Sequence, residues 1–271
     1  MKILSEVILM GEPIVILAAQ ELGNIQDVNN FTKSIAGAEI NVAIGLTRLK
    51  HKVSYVTKLG GDPFGADIHN FLKDQGIDTS HVSYNNEAST GFQLKSKTEE
   101  GDPEVVYFRK GSAASYLSKE DIEGISLEGV RHIHITGIPP ALSKSCREAV
   151  YELIKKGKKQ DIFITFDPNL RPTIWSSKEE MIDVINDIAS KCDMILPGIG
   201  EGLILTGSDD PDTIADFYLG LGAQSVVIKL GPKGAFVKSK NESYTVPGFK
   251  VEKVVDTVGA GDGFAVGVIS G

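Results

Sequence analysis

Short apolar runs rich in β-branched residues recur along this chain, and segments with helical spacing separate most of them. The runs fall at 7–10, 53–57, 132–136, 162–166, 194–196 and 225–229. Between them, Asn41, Val42, Ala43, Ile44, Leu46 and Leu49 share one helical stripe, and Ala149, Leu153 and Ile154 share a second. Met181, Ile182, Val184, Ile185 and Ile188 form a third. Few folds accept such alternation. It implies right-handed βαβ units joined into a mainly parallel sheet with helices on both faces. No repeat, low-complexity tract or Pro/Ser-rich linker divides the chain, so residues 1–271 read as a single α/β domain.

Two stretches break the rhythm. Segment 14–31 starts as a strand and turns polar, while 90–109 reads as two strands around the charged turn Lys97-Thr98-Glu99-Glu100-Gly101-Asp102-Pro103. These insertions, near 12–35 and 89–110, are expected to form a small β-sheet lid. Its place would be the carboxyl edge of the parallel strands, where open α/β sheets bind ligands.

Charge and composition narrow the partners. With 28 Lys and Arg against 36 Asp and Glu, the net charge is −8. Such a surface repels phosphate backbones and anionic membranes, so neither nucleic acid nor a membrane is an expected partner. No run approaches the roughly 20 apolar residues that a bilayer span needs, and the first residues lack a signal peptide's apolar core. The expectation is a soluble cytoplasmic protein. Cys146 and Cys192 read as buried hydrophobes, and His132 and His134 as structural residues alternating along one strand.

The most informative stretch is Val254-Val255-Asp256-Thr257-Val258-Gly259-Ala260-Gly261-Asp262-Gly263-Phe264-Ala265-Val266-Gly267. It reads as a strand, a turn of glycines and then a helix. Glycines let backbone N–H groups approach a ligand closely, and a helix N-terminus favours an anion, so the stretch forms a phosphate cradle. Other nucleotide motifs are missing. There is no GxxxxGK[ST], the first strand leads into Gly11-Glu12-Pro13 and not GxGxxG, and the HRD and DFG of protein kinases are absent.

The segment from Asp256 to Phe264 resembles the C-terminal signature of the ribokinase-like (PfkB) carbohydrate kinases. Gly37-Ala38-Glu39-Ile40-Asn41-Val42-Ala43 and Leu59-Gly60-Gly61-Asp62-Pro63-Phe64-Gly65 resemble the N-terminal one. The resemblance covers essentially the whole chain, in order. Lys50 stands where the family often has Gly. Tyr107-Phe108-Arg109-Lys110-Gly111-Ser112 and His134-Ile135-Thr136-Gly137-Ile138-Pro139-Pro140 look like the branch acting on 2-keto-3-deoxygluconate. Asp167-Pro168-Asn169-Leu170-Arg171-Pro172-Thr173-Ile174-Trp175 is shared by that branch and fructokinases. Gln93 departs from the aromatic that branch can carry.

That resemblance implies a ribokinase-like fold and transfer of the ATP γ-phosphoryl group to the primary hydroxyl of 2-keto-3-deoxygluconate, giving the 6-phosphate. Asp262 would take the hydroxyl proton, while the amides of Gly259, Ala260 and Gly261 stabilise the transferring group. Gly37, Asn41, Tyr107, Arg109 and Arg171 match substrate positions. An acid sugar needs a cation, and the planar fork of Arg matches a carboxylate. Asn169, Arg171, Lys229, Gly231, Lys233 and Gly234 fall on the nucleotide side. Glu201 matches a Glu associated with magnesium and phosphate, but Gly198 replaces the Asn of that motif, so Glu201 is expected to act through water. ATP and Mg2+ are the implied cofactors, with K+ beside Asp256 left open. Lid edges and the resemblance together imply a homo-oligomer built through the lid.

Simpler readings stand beside these. Asp262 reads as a helix cap, Asn41 as a helix N-terminal residue, Arg109 and Arg171 as surface salt bridges, Tyr107 as packing, and 226–235 as an ordinary hairpin turn. The family continues for several elements beyond the helix that Asp262 opens, so a shortened chain is expected. The alternative functions are fructokinase or another sugar kinase of the family, a non-catalytic sugar-acid-binding protein and, most distantly, an NAD-dependent oxidoreductase.

Overall fold

The computed structural model describes residues 4–99, 101, 103–252, 254 and 257–271. A strand in the middle of a two-faced sheet must be apolar on both sides, and β1 (Val7–Met10) is buried along its whole length. It lies between β4 (Val53–Gly60) and β8 (His132–Thr136), parallel to both. Beyond β8 the parallel sheet continues through β9 (Phe163–Asp167), β10 (Met194–Ile195) and β11 (Ser225–Lys229). Beyond β4 it ends at β5 (Val82–Asn85). An antiparallel hairpin of β12 (Gly234–Ser239) and β13 (Ser243–Pro247) completes the order β13-β12-β11-β10-β9-β8-β1-β4-β5.

Helices cover both faces. On one lie α1 (Ala38–Arg48), α2 (Pro63–Asp74) and α9 (Ala260–Ser270), packed on Leu9, Tyr55 and Leu59. On the other, α3 (Lys119–Glu123), α5 (Lys144–Lys158), α6 (Lys178–Ala189), α7 (Ile199–Thr206) and α8 (Pro211–Leu221) pack on Ile8, Ile133, Ile164 and Val226. The four-residue α4 (Pro139–Leu142) caps the end of β8. Strong helical stripes mark α5 and α6, which bury Ala149, Val150, Leu153 and Met181, Ile185, Ile188.

The lid is a separate four-stranded sheet. β2 (Ile14–Leu22) pairs with β3 (Phe31–Ala36) as a hairpin, and β6 (Phe92–Lys97) with β7 (Val105–Phe108) as another. Parallel pairing of β2 with β6 joins them in the order β3-β2-β6-β7. Segment 14–31 is therefore a strand, a short 3-10 turn and the start of a second strand, whose residues 32–34 are exposed and break the apolar alternation. Pleating sorts the side chains. Phe92 stacks on Phe108 with centroids 4.6 Å apart and touches Phe64 of α2, while Gln93, opposite Ile16 and Tyr107, faces the cleft. The histidines and cysteines are structural as expected. His132 and His134 both bond Thr165 Oγ1, and Cys146 and Cys192 are buried thiols. Glu100 and Asp102 of the lid turn lie outside the described residues.

Lys50 ends α1 in the left-handed region, with φ 74°. Its N–H bonds Thr47 O at 2.9 Å and that of His51 bonds Leu46 O at 3.1 Å, the two-bond helix stop that normally employs Gly. A side chain there is strained, so Lys50→Gly should stabilise the protein by about 0.5–1 kcal/mol. Urea denaturation reads this directly, and an unchanged or lower midpoint contradicts it.

Candidate active site

Between the lid and the carboxyl edge of the sheet lies a cleft of about 160 Å³. Its walls bring together Gly37 and Asn41 from the start of α1, Tyr107 and Arg109 from the lid, Arg171 after β9, and Gly259 and Asp262 at the start of α9. All the substrate positions expected from the sequence meet there.

The floor is the first turn of α9. Gly259 caps the helix with φ 76°, a conformation that favours glycine. Ala260 N–H closes the turn onto Thr257 O at 3.2 Å, and Gly263 N–H makes the helix's first bond, to Gly259 O at 2.8 Å. The amides of Gly261 and Asp262 are left without an acceptor in their own helix, which is the anion-binding feature of a helix start. Ala260, expected among the open donors, is thus engaged in the turn itself. Asp262 does more than open a helix, because its Oδ2 accepts from Asn41 Nδ2 at 2.7 Å. Burial pushes its carboxyl above the usual Asp range, against the pull of Asn41, Arg171 and Lys229. Gly37, at φ 151°, caps α1, where a Cβ would press on Glu12 O at 2.9 Å.

The two arginines differ. Arg109 is tied to Glu12, its Nε donating to Glu12 Oε2 at 2.7 Å. Arg171 is exposed and donates Nη1–H to its own neighbour, Leu170 O, at 2.8 Å. The expected convergence on the cleft holds, and the carboxylate facing Arg109 was not foreseen.

Beside this cleft, Lys229 ends β11. Its Nζ lies 2.9 and 2.8 Å from the two oxygens of Asp167 and 3.9 Å from Glu201 Oε2. Burial raises Asp167, with Lys229 opposing. A Cβ on Gly261 would sit 3.9 Å from the same Nζ, so Lys229 stands next to the amides of α9. Glu201 is held from two sides: Oε2 accepts from Gly198 N at 2.6 Å and Oε1 from Leu170 N at 2.8 Å. Each Glu201 oxygen therefore accepts one backbone N–H and keeps a lone pair for water. Among the described residues no group of three His, Cys, Asp or Glu could hold a metal. Glu201, with lone pairs left on both oxygens, fits a magnesium ion held through water. Asn169 turns the chain after β9 at φ 39°, its N–H on Asp167 Oδ1 at 3.1 Å. Gly231 and Lys233 form the short turn between β11 and β12, and Gly234 packs against the Val246 carbonyl, where a Cβ would collide. Asp256 and the end of the strand expected before the glycine turn lie outside the described residues.

Sequence reasoning missed two buried carboxylates, Glu12 and Glu39. Glu39, in the first turn of α1, is fully buried, with Thr136 Oγ1 donating to its Oε1 and, among the described residues, no partner on Oε2. Desolvation lifts it to about 7.

Residues 5–271 match the pfkB family carbohydrate kinase. The chain is 45% identical to the 2-dehydro-3-deoxygluconokinase of Bacillus subtilis, across 98% of this chain and 82% of the relative. It is 34% identical to the enzyme of the same name from Thermoproteus tenax, across 94% and 78%. Among solved structures, a PfkB protein from Polaromonas sp. JS666 superposes with a TM-score of 0.93 at 44% identity, covering 98% of this chain and 88% of that one. A putative ribokinase II from E. coli, in complex with ATP and Mg2+, gives 0.85 at 28% identity, covering 98% and 85%. Fold and site together define a ribokinase-like kinase. The chain belongs to the pfkB family of carbohydrate kinases. Among the described residues no helix is long and apolar enough to cross a membrane.

Glu39 gives a signed pH test. Its folded pKa of about 7 exceeds the unfolded value of 4.5, so its contribution is fully present below pH 4.5 and is lost as pH rises through 7. Glu39→Gln does not titrate and should gain on the wild type between pH 5 and pH 8, by on the order of 3 kcal/mol. Chemical denaturation at the two pH values measures this, and a constant difference contradicts it.

Proposed function

We propose that this protein transfers the γ-phosphoryl group of ATP to the primary hydroxyl of 2-keto-3-deoxygluconate. The observation that carries the reading is the meeting of Asp262, the open amides of α9 and two arginines in one cleft under the lid. A sugar acid offers a carboxylate to the arginines and a hydroxyl to Asp262, and a neutral ketose leaves the exposed Arg171 without a counter-charge.

In this reading Asn41 occupies Oδ2 of Asp262 and leaves Oδ1 to accept the hydroxyl proton. The Gly261 and Asp262 amides, with Lys229 beside them, lie where charge develops on the phosphoryl oxygens. Asp167 fixes the direction of the Lys229 ammonium. Glu201 would hold magnesium through water, and the ion would supply charge neutralisation for the phosphates. Tyr107 and Gln93 close the cleft from the lid, and Gly37 lets the chain at Glu12 approach α1. Gly231, Lys233 and Gly234 serve the nucleotide through the turn they build, and Asn169 through its placement of Arg171.

We assign core and lid to one functional domain, because the cleft is complete only with both. The lid also exposes Tyr107, Phe108 and its outer strand edges, which supports a homo-oligomer joined there, and from the sequence we assign the protein to the cytoplasm. Fructokinase is the second reading.

Asp262→Asn keeps the hydrogen bond to Asn41 within reach but cannot accept a proton. Turnover should fall by about 10²- to 10⁴-fold while sugar binding persists. ADP release and equilibrium sugar binding on the same preparation check this, and near-full turnover would remove Asp262 from the chemistry. In the wild type, the acid limb of kcat/KM should lie above the ordinary Asp range, since burial raises this carboxyl.

A further inference from the structure

Arg109 reaches the cleft from the lid, and what holds it belongs to the core. Glu12 follows β1 by two residues, and Arg109 follows β7 by one. Glu12 Oε2 accepts from Arg109 Nε at 2.7 Å and also takes Nη2 on the same edge of the guanidinium. Oε1 accepts from Ser112 Oγ. Both oxygens are engaged, on a residue only 2% exposed. The surroundings leave little room, since a Cβ on Gly91 would stand 2.7 Å from Glu12 Oε1. Tyr107 supports the guanidinium from its face, with the ring centroid 5.7 Å from the central carbon.

A guanidinium gripped along one edge has one direction left for a ligand. Nη1 and the outer N–H groups point away from Glu12, and the long side chain need not be ordered again at each binding event. Glu12 also balances the charge of Arg109. Arg171, which among the described residues makes no ion pair, is then the cation that an anionic ligand neutralises.

We propose that Glu12 is a positioning residue for substrate recognition. Anchored beyond the central strand, it presents the lid's Arg109 in one orientation to the acid end of the sugar. This rests on the sugar-acid reading and deepens it, because Glu12, with Oε2 on the guanidinium and Oε1 on the Ser112 hydroxyl, acts through Arg109.

The test is a cycle of Glu12→Gln, Arg109→Gln and the double variant. Each is measured for affinity, KM and kcat with 2-keto-3-deoxygluconate and with 3-deoxyfructose, the analogue whose C1 is a neutral hydroxymethyl group. Glu12→Gln should weaken the acid about tenfold, through KM with kcat within about twofold, and change the neutral analogue by less than about twofold. In the double variant, Glu12→Gln should add nothing to the loss from Arg109→Gln. Equal weakening of both sugars, or additive losses, overturns the proposal and leaves Glu12 a structural residue. Glu12→Asp keeps the charge one methylene short of the guanidinium and covers a Gln variant that fails to fold. The same selective loss is expected of it, and wild-type affinity in that variant also overturns the proposal. A wild type that prefers the neutral sugar defeats the substrate reading on its own. The coupling of Glu12 to Arg109, measured with whichever sugar binds, then still decides the role of Glu12.

Discussion

The approach of α1 to α9 is the constraint on which the cleft depends. Gly45 faces Val266 so closely that a Cβ would lie 3.0 Å from Val266 Cγ1, so only glycine lets the helices meet at that distance. One turn earlier on each helix stand Asn41 and Asp262, four residues before Gly45 and Val266, and four is the spacing that keeps residues on one helix face. The Asn41–Asp262 hydrogen bond, between residues 221 apart in sequence, is thus the same interface one turn nearer the ligand. A bulkier residue at 45 would disturb the site without touching it.

Around that interface the carboxyl edge concentrates acidic groups, and each one is answered by a donor. Glu12 has Arg109 and Ser112, Asp167 has Lys229, Asp262 has Asn41, and Glu201 has two backbone amides. Buried charges persist only when paired in this way. Glu39, fully buried, is answered by the Thr136 hydroxyl alone among the described residues, and burial lifts its carboxyl to about 7. The pairs also join separate parts of the fold, since Glu12 and Arg109 tie lid to core and Asp167 and Lys229 tie the ends of β9 and β11.

Much of this was legible in the sequence. Apolar runs marked the central strands because those strands are buried on both faces, and the glycine turn marked the cradle because its conformation demands glycine. The hairpin β12–β13 was not legible, since every residue of β13 is exposed and leaves no alternation to read. Half of the lid was blurred for the same reason, as Thr32, Lys33 and Ser34 of β3 face solvent. Glu12 and Glu39 escaped notice because a single carboxylate carries no pattern, and its meaning depends on a partner 97 residues away in each case. The Gly-Glu-Pro at the end of the first strand was informative only as the absence of another motif. A buried Glu directly after a central strand, facing an Arg at the end of a lid strand, is the signal that a sequence-based reading would need to seek.

In the proposed function the cleft is built for a sugar acid. The most direct measurement is ADP release from magnesium-ATP with 2-keto-3-deoxygluconate compared with fructose, at matched concentrations. The arrangement of Arg109, Arg171 and Asp262 predicts a higher kcat/KM for the acid, by at least about tenfold. Equal or better turnover of fructose would contradict it, leaving the Asp262 chemistry in place and removing the arginines as readers of a carboxylate.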